Sequence, residues 1–284
     1  MNNTIKIIEC PRDAMQGIKK IIPTQQKANY INSLIKVGFD IIDFGSFVSA
    51  HYVPQMKDTS DVLELLNITN HTKLLAIVLN KKGALIASEF EQIKLLGYPL
   101  SISEIFQKKN SNKSIEESLV VINQIKNICV KNNKDLLIYF SMAFGNPYHE
   151  YWSEEVLLKY IDKIQLTDIS LISLADTIGN SNPDSIKKIY STSIANFPNL
   201  DIGLHLHSDT KGIYKKIQSA WEAGCVRFDT AISGYGGCPF AQNKLIGNIP
   251  TESLLNFSAN HKIKHNLDLL AFENAYNISK SIFV

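Results

Sequence analysis

Short apolar runs alternate with longer amphipathic runs along the whole chain, and this predicts an α/β fold: a (β/α)8 barrel with additional C-terminal helices. Three observations carry that expectation. Eight strand-like runs can be read in 284 residues. The runs are apolar with little polar alternation, as in parallel strands buried on both faces. The first run leads into Cys10-Pro11-Arg12-Asp13 rather than a Gly-rich phosphate loop, which argues against a doubly wound open sheet.

The strands are expected at 5–9, 41–47, 74–79, 98–103, 135–141, 169–175, 201–207 and 226–229. Helical patterns fill the gaps at 24–37, 83–96, 114–131, 153–164, 182–195 and 210–223. Several of these open on recognisable starts. Thr24 precedes the first, Ser114 is followed by Glu116 and Glu117, and Ser153 by Glu154 and Glu155. Acids in a first turn favour the positive end of the helix dipole. The tail after Thr251 adds helical material outside the barrel. With no Pro/Gly/Ser-rich linker and no low-complexity stretch, residues 1–284 are expected to form a single catalytic barrel domain.

The bulk properties narrow the function classes. A hydrophobic share of 45% and a charged share of 20% are those of an ordinary globular protein. The formal net charge is only +2 and the basic residues are scattered among acids, which gives no footprint for nucleic acid or a membrane surface. No apolar segment is long enough to span a bilayer, and the start lacks the marks of a secretory signal. The four cysteines are widely spaced, which fits a reducing compartment rather than a disulfide framework. Cytoplasm is the expected location.

Chemistry in such a barrel sits at the C-terminal ends of the strands, and three polar sets fall there. Arg12 and Asp13 follow the first strand. A carboxylate there can bind a hard cation and an arginine can hold an oxyanion, although such a pair alone reads more readily as a solvated salt bridge. Gly203-Leu204-His205-Leu206-His207 ends the seventh strand. Alternation puts both imidazoles on one face, where two neutral rings can ligate one metal, and this outweighs a core histidine beside a loop histidine. The loop Ser233-Gly234-Tyr235-Gly236-Gly237-Cys238-Pro239 follows the eighth strand and runs on to Gly247-Asn248. Its glycines permit closure and its thiol can serve as an acid or nucleophile, or remain inert in a tight turn. Cys10, Cys129 and Cys225 read as packed thiols.

Together these segments resemble the 3-hydroxy-3-methylglutaryl-coenzyme A lyases, within the wider group of metal-dependent lyases and synthases built on this barrel. The resemblance runs from about Ile5 to Leu255. It is carried by Pro11-Arg12-Asp13-Ala14-Met15-Gln16, by Phe47-Val48-Ser49 with Val53-Pro54-Gln55-Met56, and by Ser103-Glu104 with Lys108-Lys109-Asn110. Further along come Leu174-Ala175-Asp176-Thr177-Ile178-Gly179, the histidine pair and Gly236-Gly237-Cys238-Pro239.

The resemblance implies an acyl-coenzyme A substrate and a homodimer, and the scattered charge leaves nucleic acid and membrane out as partners. The resemblance further implies a divalent cation, Mg²⁺ or Mn²⁺, held by Asp13, His205, His207 and Asn248. Arg12 would stabilise an enolate oxygen and Cys238 would protonate the enolate carbon. The base is open among His205, Asp43 and Asp176. Gln16, Lys109 and Asn110 fall at substrate-binding positions.

The chain departs from the family in three places. Ala14-Met15-Gln16-Gly17-Ile18 stands where the family has Gly-Leu-Gln-Asn-Glu, Asp43 stands where a glutamate is usual, and one extra residue lies between Cys238 and Asn248. The shorter Asp43 bears on substrate choice. Condensing enzymes of the same group share the Arg-Asp start and the histidine pair, but carry a longer C-terminal region. A barrel that has lost catalysis would be expected to have lost some of these residues.

Overall fold

The computed structural model describes residues 3–69, 71–237 and 246–283. In chain order the elements begin β1 (Lys6–Glu9), α1 (Pro11–Gln16), α2 (Thr24–Val37), β2 (Ile41–Ser46), α3 (Thr59–Glu64), β3 (Lys73–Ile77) and α4 (Lys81–Ser88). There follow β4 (Ile93–Ser101), α5 (Glu104–Ser111), α6 (Ile115–Lys131), β5 (Asp135–Ser141), α7 (Glu154–Gln165), β6 (Leu171–Ala175) and α8 (Pro183–Asn196). The chain ends with β7 (Asp201–His205), β8 (His207–Ser208), α9 (Ile213–Glu222), β9 (Arg227–Thr230), β10 (Gly247–Asn248), α10 (Thr251–His261) and α11 (Leu269–Phe283).

Strands β1 to β7 and β9 close a parallel barrel in sequence order. Closure is made by β1 against β9, from Lys6 opposite Arg227 to Glu9 opposite Thr230. All six residues of β2 are buried, which explains why the strands read as continuous apolar runs rather than alternating ones. One apolar layer lies between strands and helices. A smaller one fills the barrel itself, with Ile8, Cys10, Leu75, Leu95, Leu137 and Tyr139 among its members.

Arg227 reaches from β9 past β7 to β6. Its Nε donates to Asp201 Oδ1 at 2.9 Å and its Nη1 to Ser173 Oγ at 3.0 Å. Gly203 makes room for it, since a Cβ there would stand 2.7 Å from the guanidinium carbon. Two of the three expected helix starts are made by side chains: Ser114 and Glu117 form a capping box on α6, and Ser153 accepts from the Val156 amide on α7, whereas α2 begins at Thr24 behind Pro23 with no side-chain cap.

The structure corrects the expectation over 83–103. The helix expected over 83–96 ends at Ser88, and β4 starts at Ile93 rather than Tyr98. Ile93, Leu95 and Leu96 suit either periodicity. Strand pairing decides the matter: Leu95 to Ser101 lie in register with Asp135 to Ser141 of β5. Helix α5, capped by Ser103, was not foreseen as a separate element. The tail is helical as expected, and α11 returns to pack against α2. Among the described residues, no helix is long and apolar enough to cross a membrane.

Candidate active site

The polar residues named from sequence gather at the C-terminal mouth of the barrel. Helix α1 begins immediately after β1, so Arg12 and Asp13 face the mouth. Arg12 Nε lies 3.0 and 3.2 Å from the two carboxylate oxygens of Asp43, and Nη2 donates to the same group. Its Nη1 donates to Asp13 Oδ1 at 3.1 Å and to Gln16 Oε1 at 2.9 Å, while Gln16 Nε2 donates to Asp13 Oδ1 at 3.1 Å. Arg12 and Gln16 thus hold Asp13 Oδ1 between them.

The charges in this cluster set one another's protonation. Burial would raise the Asp13 pKa, but the charges of Arg12, His205 and His207 and a hydrogen bond from Asn248 hold it at about 2. Asp43 is pushed up to about 6, because burial outweighs the attraction of Arg12. Burial also works against the charge on Arg12, yet Asp43 and Asp13 raise its pKa further above the ordinary value.

Strand β7 ends at His205, and His207 opens the short strand β8. The expected single strand over 201–207 is therefore interrupted at Leu206, yet both rings turn toward the mouth, with His205 Nε2 3.2 Å from His207 Nε2. Each Nδ1 has an acceptor: Asp229 Oδ2 at 3.1 Å for His205 and the Thr177 carbonyl at 3.2 Å for His207. Acceptors there fix the proton on Nδ1 and leave the Nε2 lone pairs facing the site. Burial depresses the His207 pKa, and the neighbouring His205 lowers it further. Burial opposes charge on His205 too, but the Asp229 hydrogen bond and charge prevail and raise it.

A carboxylate oxygen of Asp13 and one nitrogen from each histidine all lie within 4.8 Å of one another. Oxygen and imidazole nitrogen without thiolate suit a hard or borderline divalent ion. Asn248 arrives through the β8–β10 ladder, where it is the cross-strand partner of His207. Its Nδ2 donates to Asp13 Oδ2 and to the Tyr235 carbonyl, both at 2.8 Å. Gly236, with φ of 97°, closes over this group. A Cβ there would lie 2.7 Å from Asn248 Nδ2 and 2.9 Å from Asp13 Oδ2.

Arg12, Asp13 and the two histidines border a cavity of about 200 Å³. Its polar side is Arg12, Asp13, Gln16, His205 and His207, and its apolar side includes Val48, Val53, Ile77, Leu79 and Phe106. Asn110 lines it, whereas Lys109 is exposed, with Nζ 4.4 Å from the centre of the Tyr148 ring and outside the cavity lining. Asp176 lies behind the site. It accepts from Lys216 Nζ at 2.8 Å and from the Ser181 amide, and Lys216 also donates to the His207 carbonyl at 2.7 Å. Cys238 lies outside the described residues.

Sequence reasoning missed three participants. Asp229 orients His205, and the signal was available as an acid inside a buried strand, one residue from its end. Lys216 braces the His207 backbone from α9, where it reads as a solvated helix lysine. Tyr139 lines the cavity with a buried hydroxyl that has no partner among the described residues, and its ring stands edge-on to His205 at 5.9 Å.

The family model described as HMGL-like matches residues 5–278. The chain belongs to the HMGL-like family. It is 33% identical over 260 residues to the hydroxymethylglutaryl-CoA lyase of Bacillus subtilis, covering 91% of this chain and 86% of that protein. With the cytoplasmic 3-hydroxy-3-methylglutaryl-CoA lyase of Homo sapiens, identity is 32% over 254 residues, 88% of this chain and 68% of that one.

Solved structures of the same kind superpose closely on this HMGL-like chain. The HMG-CoA lyase of Bacillus subtilis does so at a TM-score of 0.92 and 32% identity, covering 99% of this chain and 94% of that one. The HMG-CoA lyase of Acinetobacter baumannii, solved with coenzyme A and 3-methylmalate, also gives 0.92, with 29% identity and coverage of 100% and 92%. The HMGL-like family is metal-dependent, and the Asp13–His205–His207 group supplies a site of the matching kind.

Proposed function

We propose that this chain cleaves 3-hydroxy-3-methylglutaryl-CoA into acetyl-CoA and acetoacetate. The observation that carries this reading is the convergence of Asp13, His205 and His207 beside the Arg12–Asp43 pair, on one cavity of an HMGL-like barrel. The domain assignment that goes with it is one catalytic barrel spanning 1–284, and the assembly is a homodimer, which sedimentation would check.

Asp13, His205, His207 and Asn248 are the residues we assign to Mg²⁺ or Mn²⁺. When bound, the cation lowers the pKa of the substrate's tertiary hydroxyl and orients it. The remaining work falls to side chains. A base removes the hydroxyl proton, the carbon–carbon bond breaks, and its electron pair passes to the thioester as an enolate. Arg12, at the cavity with its fork already ordered by Asp43, holds the enolate oxygen. Cys238 delivers the proton that turns the enolate into acetyl-CoA. Gln16 and Asn110 border the cavity and contact substrate there, while exposed Lys109 lies near the coenzyme A path.

The proton acceptor has to reach the cavity. Asp176 is turned to Lys216 and Asp43 spends both oxygens on Arg12, whereas His205 borders the cavity with Asp229 behind it to offset the charge. His205 is the base we assign. A ring has one free nitrogen, so His205 would serve as base only with Nε2 off the cation, which Asp13, His207 and Asn248 would then keep. His205→Asn should lower kcat more than it raises the cation requirement, and His207→Asn should do the reverse.

The reading is tested by acetoacetate release from the thioester, with Mg²⁺ and with excess chelator. Release abolished by chelator supports reaction and cation together. Folded, metal-loaded protein that releases none would overturn the substrate assignment and direct the assay to related 3-hydroxyglutaryl thioesters.

A further inference from the structure

Below the histidine pair, inside the barrel, lies a second group of donors. Cys10 Sγ, a ring nitrogen of His205 and a carboxylate oxygen of Asp229 are all within 4.8 Å of one another. Cys10 is 1% exposed and Asp229 2%. Asp229 Oδ2 meets His205 Nδ1 at 3.1 Å, so Nδ1 is the nitrogen that faces this group and Nε2 the one that faces Asp13 and His207. Asp229 Oδ1 is buried with no partner among the described residues. Among the described residues the Cys10 thiol has only a long contact, 3.7 Å to the Ile8 carbonyl. An acceptor that costs free energy to bury unpaired thus sits beside an almost unbonded sulfur.

We propose that Cys10, His205 and Asp229 form a second site, for a thiophilic divalent cation of the Zn²⁺ type, and that filling it switches the active site off. Thiolate, imidazole and carboxylate are a zinc donor set, whereas the mouth set of Asp13 and two imidazoles is open to Mg²⁺ or Mn²⁺. Tetrahedral ligation at ~2.0–2.3 Å puts donors ~3–4 Å apart, so the present separations close with small side-chain rotations. Binding releases the Cys10 proton to solvent. One thiolate and one carboxylate then balance a doubly charged ion, which limits the penalty of burying it. The carboxylates of Asp229, Asp43 and Asp13, which oppose an isolated thiolate, favour a cation in that position.

Switching off follows from the imidazole. A neutral ring has a lone pair on one nitrogen only, so a cation on Nδ1 displaces the proton that Asp229 held there, and the ring carries its proton on Nε2 instead. His205 can then neither ligate an ion at the mouth nor accept a proton from substrate. This inhibition rests on the lyase reading; the binding site does not.

Binding is read separately from activity, by titrating Cd²⁺ into the Cys238→Ser protein and following its thiolate charge-transfer absorption. The band is expected in Cys238→Ser and absent when Cys10→Ala is added; a band that persists in the double variant overturns the site. Asp229→Asn in the same background is expected to weaken Cd²⁺ binding, and unchanged binding overturns its assignment as a ligand. In the native enzyme, Zn²⁺ inhibition should be relieved by raising Mn²⁺ and should weaken at least ~10-fold in Cys10→Ala, since losing a ligand costs no less than losing an outer partner. Inhibition indifferent to both Mn²⁺ and Cys10 overturns the switch. If acetoacetate release is never seen while the Cys10-dependent band is present, the lyase reading fails and the zinc site stands.

Discussion

Arg12 and Asp43 are joined fork to carboxylate, with Nε 3.0 and 3.2 Å from the two oxygens and Nη2 on the second of them. The residue that shortens the family's usual glutamate therefore still reaches the arginine. Arg12→Lys keeps the charge but cannot reproduce the fork, and kcat should fall by ~100-fold or more with a smaller change in KM. Asp43→Asn should lower stability by less than the ~3–5 kcal/mol expected for a wholly orphaned buried charge, because Asp13 still faces Arg12. Steady-state kinetics and urea denaturation check the two statements.

Asp229 fixes the tautomer of His205 without lining the cavity. Asp229→Asn should cost ~10–100-fold in cation affinity or in turnover. A cation titration of activity separates the two, and an unchanged titration and rate would remove Asp229 from the site.

Gly236 has no room for a side chain. Gly236→Ala adds a Cβ to a positive-φ position and drives it against Asn248 Nδ2 and Asp13 Oδ2. The cation requirement should rise while the barrel stays folded, as circular dichroism and an Mn²⁺ titration would show.

Tyr139 has a buried hydroxyl at the cavity wall with no partner among the described residues. Tyr139→Phe removes that group, and stability should rise by ~1 kcal/mol or stay unchanged. Turnover should fall, since a hydroxyl kept unbonded beside His205 is available to the substrate. A variant with unaltered kcat and KM would leave Tyr139 a packing residue.

Glu9 supplies a pH dependence. Burial pushes its pKa from 4.5 to about 8, against hydrogen bonds from the Thr251 hydroxyl and the Ile232 amide, and Glu252 is the nearby acid. Between these values the folded state holds a proton that the unfolded state has released. Stability contributed by the group is full below the lower value and is lost by ~1.4 kcal/mol per pH unit as pH rises toward the upper one. Glu9→Gln can accept from Ile232 and donate to Thr251 without ionising, so this slope should flatten. Denaturation midpoints just above each of the two values, for both proteins, give the answer.

The sequence by itself determined the (β/α)8 architecture and the identity of the groups at the mouth. Burial on both faces writes continuous apolar runs such as 41–47, and an acid or imidazole at the end of such a run stands out against them. Asp13, His205 and His207 were legible for that reason. The tertiary structure decided what those groups do to one another. Whether 93–96 is helix or strand depended on Asp135–Ser141 lying alongside, because the residues fit both periods. Asp43, Asp176 and His205 read alike in the sequence, and only the fold set Arg12, Lys216 and Asp229 beside them. Asn248 became the neighbour of His207 through a two-residue ladder that no local signal announces. A run of sequence records how deeply each residue is buried and in what period. Distances between residues more than two hundred positions apart, such as Asp13 and Asn248, are set only when the barrel closes.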